Sequence, residues 1–203
     1  VRLLSSAARA ALAPDQQLRF APDAHTHLQL SFADGGPGVF VRDVRKFGKV
    51  QLLGSCERSA RLAKLGVDAL ELSGETLFAA TRGRVIAIKS LLLDQAVVAG
   101  AGNIYADETL FLAGVRPTRR AGKATRDECT RIAAALRRVL LRSIETGGSS
   151  ISDYVAPDGS DGAYQDERRV YARTGEACSA CGARIRRVVI GQRSAHYCAK
   201  CQR

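Results

Sequence analysis

Six cysteines lie in this 203-residue chain, and four of them carry a spacing that chemistry can use. Cys178 and Cys181 form one C-x-x-C unit; Cys198 and Cys201 form another, sixteen residues further on. Each unit fits a tight turn offering two thiolates, and two such turns complete the tetrahedral shell of one zinc ion. A redox pair and paired disulfides compete for the same residues, and the two-unit spacing favours a structural zinc over both. The span between the units is long enough for a β-hairpin, with Gly191-Gln192 as its turn after the apolar run Val188-Val189-Ile190. Cys56 and Cys129 have no such neighbours and read as ordinary buried thiols.

Charge is the second chemical feature. Thirty-one Lys and Arg against 20 Asp and Glu give +11, with a pI near 9.9. From Arg116 to Arg142 there are nine basic and two acidic residues, and from Arg168 to Arg203 nine basic and one acidic, while the remainder is net acidic. A solvated face mixes its signs, whereas two concentrated blocks fit a surface that tracks phosphates. An apolar content of 46% with 25% charged residues excludes a disordered polyelectrolyte. No run approaches the roughly 18 apolar residues of a membrane span. Thiolate ligands without a secretory signal place the chain in a reducing interior, and the expected localisation is cytoplasmic, nucleoid-associated in a bacterium.

These residues need elements to position them. Leu28, Leu30 and Phe32 alternate with polar neighbours, Asp34-Gly35-Gly36 makes a turn, and Val39-Phe40-Val41 returns as a second strand. Val50 to Leu53 reads as a third strand of a partial antiparallel sheet. From about residue 59 the periodicity is helical. Ile88 to Gln95 suits a short helix, and Ile104 to Ala113 a second, ended by Gly114 and Pro117. Thr125-Arg126-Asp127-Glu128 is a capping box that opens a third. That helix places Ile132, Leu136, Val139, Leu140 and Ile144 on one face and Arg131, Arg137, Arg138 and Arg142 on the other, before Gly147-Gly148 stops it. Between the first two helices, Gly100-Ala101-Gly102-Asn103 allows a close turn, and the free amides of the helix that follows offer a phosphate site.

The combination resembles one family. Lys89 to Arg119 (KSLLLDQAVVAGAGNIYADETLFLAGVRPTR) and LLRSIETGG at Leu140 to Gly148 are similar to the helix–two-turns–helix signature of the formamidopyrimidine-DNA glycosylase (Fpg/Nei) family. The terminal GQRSAHYCAKCQR resembles that family's zinc ribbon, and Asp43-Val44-Arg45-Lys46-Phe47-Gly48 its DVRKFG loop. The resemblance implies double-stranded, damaged DNA as partner and base excision repair as setting, with glycosylase and AP-lyase activity on oxidised purines (formamidopyrimidine, 8-oxoguanine). By position, Asn103 matches an asparagine that holds a phosphate beside the lesion, and Arg193 an arginine that grips the damaged strand. Lys89 matches a lysine near the same backbone. Arg45 and Phe47 match the residues that enter the duplex, an arginine that faces the orphaned partner base and a phenylalanine that wedges between base pairs in place of lost stacking. Tyr164 is the one aromatic of the Asp158-to-Gln165 loop, which matches a loop that closes over the flipped base.

The family's nucleophile is an N-terminal proline followed by glutamate; this sequence begins Val1-Arg2 and has no methionine for the family's third duplex-filling residue. The resemblance therefore assigns no catalytic residue to these positions. It leaves open a repair enzyme without its catalytic end and a non-catalytic paralogue that binds damaged or kinked duplex. A ribosomal RNA-binding protein, which can share the helix–two-turns–helix, is disfavoured by the zinc ribbon and the DVRKFG loop. The expected fold is α+β in three parts: a remnant β-sheet domain over 1–57, a helical helix–two-turns–helix domain over 58–167 and a zinc ribbon over 168–203. One structural zinc and a monomeric state complete the reading.

Overall fold

The computed structural model describes residues 22–34, 38–54, 57, 59–149 and 162–203, which form two compact units. One spans Val1–Ser55 and Thr146–Gln165, the other Cys56–Glu145 and Asp166–Arg203. Among the described residues of the first unit, β1 (Thr26–Leu30) pairs antiparallel with β2 (Val39–Arg42), as the alternating pattern predicts. Val50 to Leu53 is not a strand. No described strand lies beside it to take its backbone groups, and Leu52 stands 97% exposed. Phe32 lies beyond the end of β1, exposed.

The second unit is built around helices. A short parallel pairing of β3 (Val67–Asp68) with β4 (Val98–Ala99) brackets α1 (Gly74–Thr81) and α2 (Ile88–Leu93); α3 (Asn103–Leu112) and α4 (Arg126–Glu145) follow. Their shared core includes Leu77, Ile88, Leu92, Leu110, Ile132 and Leu136. Cys129 is buried there, as expected of a structural thiol; Cys56 lies outside the described residues. Gly74 lets α1 meet α4 closely, because a Cβ on it would lie 2.7 Å from the Thr130 Cα.

The capping box forms as written: the Thr125 amide donates to Glu128 Oε2 at 2.8 Å, and the Glu128 amide donates to Thr125 Oγ1 at 3.1 Å. Along α4 the buried stripe runs Ile132, Leu136, Val139 and Ser143, not on to Ile144, which is 65% exposed. A 3.6-residue period takes Ser143, whose hydroxyl donates to the Tyr105 hydroxyl at 2.6 Å, in preference to its apolar neighbour. At 20 residues α4 is also about 15 Å longer than the 10-residue α3 it packs on.

The ribbon packs into the same unit. Its strands β5 (Ile185–Ile190) and β6 (Arg193–Cys198) pair antiparallel from Ile185 opposite Cys198 to Ile190 opposite Arg193. The turn falls at Gly191-Gln192 as expected, with φ of 53° and 64°, the two positive values of a type I′ hairpin. A second small core, made of Phe111 from α3 with Val170, Cys178, Ile185 and Cys198, joins the ribbon to the helices. No described helix is long and apolar enough to cross a membrane.

Candidate functional site

The metal centre is the simplest part of the site. The Sγ atoms of Cys178, Cys181, Cys198 and Cys201 lie within 4.8 Å of one another. Cys178 and Cys201 are 3.9 Å apart at sulfur, and Cys181 and Cys198 3.4 Å. Tetrahedral zinc with bonds of about 2.3 Å needs sulfurs about 3.8 Å apart, whereas a disulfide needs about 2.05 Å. The residues fit zinc, and neither close pair is a disulfide. Both knuckles are prebuilt by backbone bonds: Gly182, at φ 73°, donates to the Cys178 carbonyl at 2.8 Å, and Gln202 to the Cys198 carbonyl at 3.0 Å. Gln202, fully buried, also accepts from the Cys198 amide and donates to the Val115 carbonyl. The zinc is structural, since four thiolates fill its shell.

The outer edge of β6 faces the helices, and side chains satisfy its backbone groups in turn. The Ser194 carbonyl accepts from Lys89 Nζ of α2 at 2.6 Å and from Asn103 Nδ2 of α3 at 3.3 Å. Two residues on, the His196 amide donates to Asp107 Oδ2 at 2.8 Å, with its ring Nδ1 3.2 Å from the same oxygen. Asp107 Oδ1 is paired with Lys89 Nζ at 2.6 Å, both side chains fully enclosed. Burial pushes the Lys89 ammonium below its ordinary range, the Asp107 charge opposes that, and the Arg193 charge adds to it. Beside Asp107, Glu108 accepts from the amides of Arg169, Val170 and Tyr171 at 2.8 to 3.0 Å, which fixes the chain as it enters the ribbon.

This arrangement brings three expected residues together. Asn103 opens α3, whose first amides no side chain caps, and Arg193 stands exposed at the hairpin tip next to Ser194. Lys89, expected near the same backbone, has its ammonium buried and engaged by Asp107 and the Ser194 carbonyl. The two turns before α3 rest on Gln95, which accepts from the Gly100 amide and donates to the Leu93 and Ala101 carbonyls.

In the first unit, Asp43 organises the loop that carries Arg45 and Phe47. Its carboxylate accepts from the Gly48 amide at 2.5 Å and the Arg45 amide at 3.1 Å. Those bonds, the Gly48 amide foremost, hold its carboxyl below the usual range. Phe47 is 77% exposed, and the Arg45 guanidinium lies 5.5 Å from its ring centroid. Tyr164 is buried in this structure, unlike Phe47. It is 4% exposed, and its amide donates to the Gly148 carbonyl at 3.0 Å. Residues 158–161 of that loop lie outside the described residues.

The first basic block is also less free than its composition implies. Arg119 pairs with Glu128, Arg131 with Asp127, and Arg142 with Glu145 and Glu167, while Arg137 donates to the Leu70 carbonyl and Arg116 to that of Ala199. Sequence reasoning also missed Asp107, Glu108, Gln95 and His196. The legible signal was two adjacent acids inside the apolar helical repeat around Ala106 and Leu110, since a buried carboxylate requires partners.

Residues 65–155 match the family described as formamidopyrimidine-DNA glycosylase H2TH domain, and residues 175–203 the zinc finger found in FPG and IleRS. The formamidopyrimidine-DNA glycosylase of Xanthomonas campestris pv. campestris (strain B100) is 42% identical over 184 residues, covering 90% of this chain and 68% of that protein. That of Thioalkalivibrio sulfidiphilus (strain HL-EbGR7) is 44% identical over 193 residues, covering 94% and 69%. Among solved structures, the MutM (FPG) protein from Thermus thermophilus is similar with a TM-score of 0.79 and 38% identity over 91% of this chain and 71% of that one. Lactococcus lactis Fpg in complex with abasic-site DNA is similar with a TM-score of 0.78 and 33% identity, over 92% and 69%.

Proposed function

This chain belongs to the formamidopyrimidine-DNA glycosylase family, and from that premise we propose that it binds damaged double-stranded DNA in base excision repair. The reading rests above all on one observation: Lys89 and Asn103 converge on the Ser194 carbonyl, which sets Arg193 beside the uncapped N-terminus of α3. A guanidinium, a carboxamide and a row of outward amides at one place form a phosphate grip. Arg193 supplies charge, and Asn103 with the α3 amides supplies direction.

Arg45 and Phe47 supply discrimination. A pre-capped loop holds a planar cation and an exposed aromatic ring ready to enter a duplex, so little ordering cost remains when they replace the stacking of an extruded base. The four thiolates hold zinc as a rivet that keeps the ribbon folded. Oxidised purines are the lesion class this reading assigns, with glycosylase and AP-lyase chemistry as the family's activity and the bacterial cytoplasm as its setting. No described residue is given the role of nucleophile.

Equilibrium titration with a duplex carrying one abasic-site analogue, beside the same duplex undamaged, tests this. The wild type prefers the damaged duplex. Phe47→Ala binds the undamaged duplex as before and loses that preference; equal preference in the two proteins overturns the wedge.

A further inference from the structure

We propose that Lys89 and Asp107 are positioning residues that act on DNA only through Arg193, by holding the outer edge of β6 at a fixed height on α2 and α3; this rests on the reading of Arg193 as a phosphate grip.

Among the described residues, β6 is an edge strand, paired only with β5. Residues 194 and 196 turn their backbone groups away from β5. Left to water, that edge would give the hairpin tip no fixed register on α2 and α3 beyond the core around Phe111, and Arg193 at the tip would be held less firmly. Here two of those outward groups meet buried charges: Lys89 takes the Ser194 carbonyl and Asp107 takes the His196 amide. The two charges neutralise each other at 2.6 Å. A lysine and an aspartate with 0% side-chain exposure are costly to bury, so apolar residues would serve better if the contact only needed packing. What the pair adds is register, because its two ends are matched to backbone groups two residues apart. The clamp also fixes Ser194, whose hydroxyl accepts from Arg187 Nε at 2.9 Å, directly beside the residue that grips.

Lys89 cannot reach a phosphate itself without leaving Asp107 and Ser194, and its amine is fully enclosed. Its influence on DNA therefore has to pass through the hairpin.

A double-mutant cycle on this chain, read by titration of the abasic-site duplex, separates the alternatives. Arg193→Ala weakens binding roughly tenfold or more. Lys89→Met weakens it roughly threefold or more in the wild-type background and not further beside Arg193→Ala. Because Lys89→Met strands the Asp107 charge, Lys89→Met/Asp107→Asn serves as a second variant: it removes both charges and keeps an acceptor for the His196 amide. Zinc content stays at one per chain in each. Losses that multiply in the Arg193→Ala background overturn the proposal and make Lys89 an independent contact or a purely structural one. An Arg193→Ala protein that binds as wild type instead overturns the phosphate grip, and the clamp's role in DNA binding falls with it.

Discussion

At the scale of single residues, the fate of an ionisable side chain follows from whether its charge is already spent. Lys89 and Asp107 spend theirs on each other and on β6, whereas Arg193, Arg45 and Phe47 stand outward. Asp43 yields a pH prediction. Its carboxyl is depressed by the bonds it accepts, so the order it gives the Arg45–Phe47 loop is complete above the ordinary value of 3.8 and is lost as pH falls through the lower folded value. The Gly48 amide resonance should titrate with a midpoint below 3.8, and a midpoint at or above it would refute the cap. Arg193, Arg45 and Phe47 could be singled out from the sequence because motif position alone marks them, and the structure leaves all three exposed. The clamp was not, since a sequence places an acid in a helix but does not say that a strand 89 residues later presents an amide to it. The burial of Tyr164 was not legible either, because an aromatic in a loop can serve a ligand or pack inward and its neighbours in sequence do not say which.

Among elements, local signals were strongest where the chemistry is contiguous. The capping box, the turn at Gly191-Gln192 and the glycine breaks around α3 all formed where their residues say, because each is satisfied within a few positions. Thr125→Ala should destabilise the chain by about 1 kcal/mol, seen as a lowered thermal midpoint with zinc content unchanged. Glu108→Ala should cost more, roughly 3 kcal/mol, since it leaves three amides at 169–171 without an acceptor. If Thr125→Ala proved the more damaging, the anchoring role of Glu108 would be wrong. Val50 to Leu53 shows the limit: a strand needs a neighbour, and apolar residues in a row do not disclose whether one is at hand. Ile144 shows another, because hydrophobicity pointed one position away from where helical geometry buries Ser143.

For the whole molecule, zinc, ribbon and helices act as one assembly in the second unit, joined by the small core around Phe111 and by the edge of β6. Chelation should therefore cost more than the ribbon's own fold. Removing zinc unfolds the hairpin, releases Ser194 from Lys89 and Asn103, and abolishes duplex binding, while the circular-dichroism signal of the helices largely persists. Net charge contributes less than the +11 implies, because much of the Arg116–Arg142 block is committed to Glu128, Asp127, Glu145, Glu167 and backbone carbonyls. Binding should accordingly depend on a few placed cations and not on the bulk surplus. The most direct test is the salt dependence of affinity for an abasic-site duplex, compared between the wild type and Arg193→Ala. A grip centred on Arg193 predicts weaker binding and a log–log slope shallower by about one unit in the variant. An unchanged slope with unchanged affinity would contradict it, and would mean that the polyanion is held elsewhere on the molecule.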